Sequence, residues 1–185
     1  LREPRQNDGA IAAIGHWLKY DGWNVEAGME LRGSCHCGAV GFTVESKAPQ
    51  PYQRCYCSIC RKAGGAGGFA INILADNRTL EVSGRDKVSE YRAMINGVPS
   101  KHRRYFCSRC GSHLWAWNES WPDLVHPLAS VIDTPLPKPN DFVDIMLDSA
   151  VPWVSLHDGD NVERFPEYPD QSIEDWHKRH GVWVE

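Results

Sequence analysis

The seven cysteines of this 185-residue sequence fall into three groups whose spacing suits metal binding. The ligands of one metal ion must converge within a few ångströms, and closely spaced thiolates do so readily. A disulfide framework would leave one cysteine over, and a chain of this length does not need disulfides for stability. The sequence therefore predicts zinc bound by thiolates. The groups are Cys35 with Cys37, then Cys55, Cys57 and Cys60, then Cys107 with Cys110.

Two glycines sort these groups into two sites. Gly38 follows Cys37 and Gly111 follows Cys110, whereas no glycine follows Cys60. A glycine at this place lets the chain turn with a positive φ and brings backbone N–H groups toward the sulfur atoms. We therefore predict that the two glycine-marked pairs form one closed four-thiolate zinc site, which joins distant parts of the chain. Its ligands would be Cys35, Cys37, Cys107 and Cys110.

The three remaining cysteines are interpreted as the ligands of a second, catalytic zinc ion: Cys55, Cys57 and Cys60. Three protein ligands with an open fourth position are the arrangement of a catalytic zinc site. Because the ion would be surrounded by soft thiolates, the open position should favour a substrate thiol over water. Zinc lowers the pKa of a bound thiol, so the substrate would be held as its thiolate.

A histidine as fourth ligand is the alternative, and it would make both sites structural. His113 is the better candidate, since His36 would point to the opposite face of an extended segment from its neighbouring cysteines. The sequence alone does not place His102, His126 or His157. On this alternative, the chain is a non-catalytic zinc-binding β module that mediates a protein interaction.

The composition limits the class of partner. Hydrophobic residues make up 42% and charged residues 24% of the chain, which is ordinary for a soluble globular protein. The formal net charge of −4 provides no basic field for nucleic acid or an anionic membrane. The sequence has neither an apolar run of ~18 residues nor an apolar signal core at its start. We therefore predict a cytoplasmic protein that binds neither nucleic acid nor a membrane, with an oligomeric state that stays open.

Three segments, GSCHCGAVGFTV, CYCSICRKAGG and FCSRCGSHLW, resemble in this order the glutathione-dependent formaldehyde-activating enzyme family, also called the centromere protein V domain family. The resemblance extends from about Leu31 to Phe165. It implies the same division of the cysteines and a carbon–sulfur lyase reaction run in reverse, in which glutathione and formaldehyde give S-hydroxymethylglutathione. Tyr56 stands where the family commonly has a histidine. Residues 1–30 have no counterpart and are predicted to be an extension to a single domain of residues 31–185.

Basic and aromatic residues near the cysteines are candidates for substrate contacts. Arg54, Arg61, Lys62 and the basic run 101–104 could bind the carboxylates of a glutathione-like ligand, or they could offset the charge of the thiolates. Four tryptophans could line a pocket or pack in the core: Trp115, Trp117, Trp121 and Trp153.

Alternating apolar residues predict the strands that would position these sites. The predicted strands cover 39–45, 68–74, 79–83, 88–92, 103–106, 113–117 and 142–149. Ser172 can cap a helix that Gly181 ends. Within residues 1–30 a hairpin and a helix both fit. The predicted fold is mainly β, with a short C-terminal helix, and the resemblance implies short antiparallel sheets stacked around two zinc sites.

Overall fold

The computed structural model describes residues 28–139, 141–159 and 161–182. The described residues form twelve strands and two α-helices, and short 3-10 turns connect several of them. The helices are α1 (Ser58–Gly64) and α2 (Ile173–Arg179). The strands are β1 (Met29–Ser34), β2 (Gly41–Ser46), β3 (Tyr52–Cys55), β4 (Ala70–Asn72), β5 (Ala75–Asp76), β6 (Glu81–Ser83), β7 (Val88–Ile95), β8 (Val98–Cys107), β9 (His113–Asn118), β10 (Leu124–Pro127), β11 (Phe142–Ile145) and β12 (Val162–Arg164).

These strands form three small sheets. The first has the order β1-β2-β6, the second β5-β10-β9-β8-β7, and the third β12-β11-β3-β4. The first two sheets are antiparallel throughout, whereas β11 runs parallel to both β3 and β12. The mainly β prediction is therefore confirmed, with these two parallel pairs as an addition that the sequence patterns did not indicate.

The main hydrophobic core includes side chains from the first and second sheets. Phe42 on β2 packs edge-on against Trp115 on β9, with 5.4 Å between the ring centroids. Tyr105 on β8 stacks on the same tryptophan at 5.5 Å. Strand residues alternate between faces, so the face of the second sheet that carries Tyr105 and Trp115 is the core face. Arg104 on β8 and Ala116 on β9, which directly precede and follow these two residues, point to the other face, which is described below.

A second core lies against the third sheet and includes two cysteines, Cys55 and Cys60. Beside it, Arg54 on β3 and Asp144 on β11 form a buried ion pair, with Nε to Oδ1 at 2.6 Å and Nη2 to Oδ2 at 3.0 Å. The two residues face each other across the parallel β3–β11 pair. Because both charges are removed from water, this bidentate geometry is what makes their burial tolerable.

The C-terminal helix forms as predicted. The Ser172 hydroxyl accepts a hydrogen bond from the Asp175 amide at 3.0 Å, and the Asp175 carboxylate accepts one from the Ser172 amide at 3.1 Å. This reciprocal capping box satisfies amide groups that the helix itself leaves unpaired. Trp176 is the buried anchor of the helix, and Gly181 follows its end with a φ of +66°.

Several predicted strands are shorter than expected, among them the strand predicted at 79–83, which covers Glu81–Ser83 only. The strand predicted at 142–149 ends at Ile145, because Met146 adopts a left-handed conformation with φ 61° and a 3-10 turn follows. The strand predicted at 68–74 covers Ala70–Asn72 only. The alternatives for the N-terminal segment concern residues that lie almost entirely outside the described part of the chain, so the division at residue 30 stays a prediction. Across the described ranges, no helix has the length and apolar character needed to cross a bilayer.

Candidate metal centres

The structure brings the two glycine-marked cysteine pairs together. The sulfur atoms of all four cysteines lie within 4.8 Å of one another, although they come from two turns far apart in sequence. One turn follows β1 and the other connects β8 to β9, so the cluster joins the first sheet to the second. We call this group, Cys35, Cys37, Cys107 and Cys110, the four-cysteine cluster.

Both glycines of the four-cysteine cluster have the predicted positive φ. Gly38 has a φ of +70° and Gly111 a φ of +75°. The turn around Gly38 also directs the Val40 amide to the sulfur of Cys35, at 3.3 Å. Amide groups that donate to sulfur stabilise the thiolate form that a metal requires. The local geometry therefore suits a closed thiolate site.

The three remaining cysteines also meet at one point. The sulfur atoms of Cys55, Cys57 and Cys60 lie within 4.8 Å of one another, and we call them the three-cysteine cluster. Cys55 ends β3, Cys57 is the N-cap of α1, and Cys60 lies in the first turn of that helix. The Cys60 amide donates to the Cys57 sulfur at 3.3 Å. Hydrogen bonds from the Cys55 and Cys60 thiols also lower the pKa of Cys57, which favours a thiolate there.

The alternative of a histidine as fourth ligand receives no support from the described residues. Among them, no histidine nitrogen or carboxylate oxygen lies within 4.8 Å of all three sulfur atoms of the three-cysteine cluster. His113, the better candidate, is buried, and neither of its ring nitrogens has a hydrogen-bond partner within the described part of the chain. The arrangement among the described residues is that of a three-ligand site.

The donor sets fit zinc. All seven cysteines are free thiols, and sulfur ligands in sets of three and four at these separations are typical of zinc sites in proteins. The family resemblance implied two zinc ions, and the structure contains two cysteine clusters that could hold metal.

We expect about two zinc ions per chain in protein that is purified under reducing conditions, because each cluster has the donor set of one ion. Elemental analysis together with a protein concentration measures this ratio. A weak chelator should remove only the ion at the three-cysteine cluster, since a site with fewer protein ligands holds metal less tightly. Metal-free protein in which the cysteines are paired as disulfides would contradict the prediction.

The basic residues that were predicted near the cysteines have different roles. The guanidinium of Arg54 forms a buried ion pair with the carboxylate of Asp144, so it is not free for a substrate carboxylate. Arg103 forms an ion pair with Glu90 at 3.3 Å. Arg104 approaches the three-cysteine cluster, with 3.9 Å from its Nη2 to the sulfur of Cys60.

Tyr56, which stands where the resemblance predicted a histidine, is a core residue here. Its side chain is fully buried and packs against Phe69, with 5.2 Å between the ring centroids. It lies between Cys55 and Cys57, and its buried hydroxyl has no hydrogen-bond partner within the described part of the chain. Burial also raises the pKa of its hydroxyl, so the side chain stays neutral.

The tryptophans divide between core and surface. Trp115 packs in the core, and together with Trp117 it also lines a cleft of about 530 Å³ on the core side of the second sheet. Trp121 and Trp153 are 53% and 64% exposed, so neither lines an enclosed pocket.

Comparison with known proteins gives a match to a family model and matches to individual proteins. The family model described as glutathione-dependent formaldehyde-activating enzyme matches residues 30–145, a range that includes all seven cysteines. A Halomonas elongata protein, named provisionally as a glutathione-dependent formaldehyde-activating enzyme, is 51% identical over 154 residues, which cover 83% of this chain and 98% of that protein. A solved structure of a Rhodobacter sphaeroides protein is 27% identical with a TM-score of 0.45, and the match covers 57% of this chain and 91% of that one.

Proposed function

Since the chain belongs to the glutathione-dependent formaldehyde-activating enzyme family, we propose that it is a zinc-dependent carbon–sulfur lyase acting on the adduct of a thiol and a small carbonyl compound. The proposed substrates are glutathione and formaldehyde, which give S-hydroxymethylglutathione. The observation that carries this proposal is the three-cysteine cluster, whose sulfur atoms converge with no fourth protein ligand among the described residues.

The reaction needs no oxidant or reductant. A bond forms between the thiol sulfur and the carbonyl carbon, the π electron pair of the carbonyl moves to its oxygen, and the proton of the thiol ends on that oxygen. The lyase direction breaks the same carbon–sulfur bond and returns the proton to sulfur. The two demands on the enzyme are therefore a thiol held as its thiolate and a group that stabilises charge on the oxygen.

The three-cysteine cluster supports the first demand. Zinc bound there would act as a Lewis acid toward a thiol and lower its pKa. Cys55 and Cys60 are buried, and Cys57 is half-buried, so the cluster has one more accessible side on which a ligand could approach. The contact of Arg104 with Cys60 offsets part of the negative charge that three thiolates bring to one ion.

The four-cysteine cluster would hold the second zinc ion in a structural role. Its four donors leave no open position for a substrate. The cluster lies between the first and second sheets, whereas the three-cysteine cluster lies at the start of helix α1. A reducing compartment such as the cytoplasm would keep all seven thiols available for metal. The proposed partners are accordingly small molecules.

Cobalt substitution tests whether a thiol binds at the three-cysteine cluster. We expect glutathione to change the d–d and the sulfur-to-cobalt charge-transfer bands of the cobalt protein in a saturable way, because a fourth sulfur would join the metal. S-methylglutathione, which has the same peptide but no free thiol, is the matched control and should leave the bands unchanged. Equal changes with both compounds, or none with glutathione or other small thiols, would refute thiol binding at this cluster.

A further inference from the structure

One face of the five-stranded sheet carries a row of polar side chains, of which the proposed function uses only the contact of Arg104 with Cys60. Arg104 on β8 and His126 on β10 both pair with Ala116 on β9, which lies between them. Directly paired residues of neighbouring strands point to the same face. Alanine carries only a methyl group, so Ala116 adds no polar atom between Arg104 and His126 on this face.

Two more histidines belong to the same face. His102 precedes Arg104 by two residues on β8 and therefore shares its face. A register irregularity between Tyr105 and Phe106 makes His113 pair with Phe106, whose side chain also points to the Arg104 side. We call Arg104, His102, His113 and His126 the histidine–arginine pocket.

The pocket contains buried polar atoms without partners. Arg104 is 6% exposed and His113 is 7% exposed. Within the described part of the chain, Nε and Nη1 of Arg104, both ring nitrogens of His113, and Nδ1 of His126 have no hydrogen-bond partner. A buried donor that stays unpaired costs about 1–3 kcal/mol, and more when it is charged. Several such donors on one face are typical of a site that binds a polar ligand.

The pocket adjoins the three-cysteine cluster. Nη2 of Arg104 is 3.9 Å from the sulfur of Cys60. Helix α1, which carries Cys60, passes so close to the pocket that a Cβ on Gly64 would lie 3.0 Å from Nδ1 of His113. A ligand on the cluster would therefore be next to the unpaired nitrogens.

The charge of the pocket comes from one residue. Burial lowers the pKa of each of the three histidine rings to about 4. For His102 and His113, the positive charge of Arg104 contributes to this lowering of the pKa. At neutral pH each ring is therefore uncharged and offers one N–H donor. The guanidinium of Arg104 supplies a single positive charge, which matches a ligand group with a single negative charge.

We propose that the histidine–arginine pocket binds one oxyanion of the substrate beside the three-cysteine cluster. The oxyanion is either the carboxylate of the thiol compound or the carbonyl oxygen on which charge develops during the reaction. This inference rests on the proposed thiol chemistry and adds the group that recognises or stabilises the oxygen. A role of Arg104 in offsetting thiolate charge alone would use only its contact with Cys60 and would leave the other nitrogens unexplained.

The test compares two thiols that differ in charge, 3-mercaptopropionate and 2-mercaptoethanol, by calorimetric titration of the zinc-loaded protein. The variant is Arg104→Met, and Arg103→Met is the matched control, because Arg103 is the next residue on the same strand and points to the opposite face. Arg104→Lys is the second variant, which keeps the charge near Cys60 but removes the planar fork. Circular dichroism and zinc content establish that each variant is folded and loaded.

If the pocket binds the carboxylate, Arg104→Met raises the Kd for 3-mercaptopropionate about 10-fold to 100-fold, as expected for loss of a charge-assisted hydrogen bond. The Kd for 2-mercaptoethanol should stay within about twofold of the wild-type value. Arg104→Lys should show the same selectivity with a smaller loss. If the pocket serves the reacting oxygen, both thiols bind the variants as they bind the wild type, and kcat for S-hydroxymethylglutathione formation falls about 100-fold at an unchanged KM.

Three results would overturn the inference. The Kd values of Arg104→Met for both thiols, and its kcat, could match those of Arg103→Met. The pocket would then have no role in binding or reaction. Binding of both thiols could weaken equally in Arg104→Met and return to the wild-type affinity in Arg104→Lys. Arg104 would then only offset thiolate charge. If neither thiol binds the zinc-loaded wild type, the proposed function itself fails, and this inference fails with it.

Discussion

Cys107→Ser is expected to unfold the protein or to lower its melting temperature severely. Cys107 is fully buried, and the four-cysteine cluster to which it belongs joins the first sheet to the second across turns far apart in sequence. Metal binding at a structural thiolate site contributes on the order of 10 kcal/mol to folding, which is comparable to the whole stability of an ordinary domain of about 5–15 kcal/mol. A hydroxyl is a poor replacement for a thiolate ligand, so most of that contribution would be lost.

Thermal unfolding followed by circular dichroism measures this effect, and the soluble yield gives a second reading. Excess zinc should not restore the wild-type melting temperature, because the missing ligand is part of the protein. A variant that melts within a few degrees of the wild type would show that the four-cysteine cluster does not hold the sheets together.

Cys57→Ser is expected to give the opposite pattern, a folded protein with one zinc ion fewer and no lyase activity. The three-cysteine cluster lies within one short stretch of chain, so its metal closes no long loop. Serine at this position can still accept the Cys60 amide hydrogen bond that caps α1. The substitution should therefore cost about 1 kcal/mol, which lowers the melting temperature of a chain this size by about 2–4 °C.

The formation of S-hydroxymethylglutathione and the zinc content of the same samples measure this second prediction. Cys107→Ser is the variant for comparison, because both variants exchange one sulfur for one oxygen, each in a different cluster. Unfolding of Cys57→Ser as severe as that of Cys107→Ser would make the three-cysteine cluster structural. The proposed enzyme would then lose its main support.

Short-range features of this protein could be predicted from the sequence because neighbouring residues determine them. Glycine after Cys37 and after Cys110 indicated turns with positive φ, which both glycines adopt. Ser172 and Asp175 predicted the cap of the C-terminal helix, since a capping box needs only residues three apart. The assignment of zinc and of the catalytic role to particular cysteines stays a prediction that the variants above test.

Local patterns did not predict elements that depend on distant partners. Strand β3 is short and was not predicted, and it is held by its parallel neighbour β11, which lies about 90 residues later in the sequence. The same pairing places Asp144 against Arg54, which removes Arg54 from the predicted substrate contacts. Helix α1 spans only seven residues and has a cysteine, Cys57, as its N-cap, so neither an apolar period nor a common N-cap residue indicated it.

The sequence by itself determined the division of the seven cysteines into a group of four and a group of three, because turn glycines and close spacing are local properties. Only the tertiary structure decided what surrounds the group of three. His102 and Arg104 share a face by strand alternation, but His126 joins them through the pairing of two further strands. His113 joins them through a register irregularity. Register is set by hydrogen bonds between strands and by packing of the whole sheet, so the pattern of a single strand does not contain it.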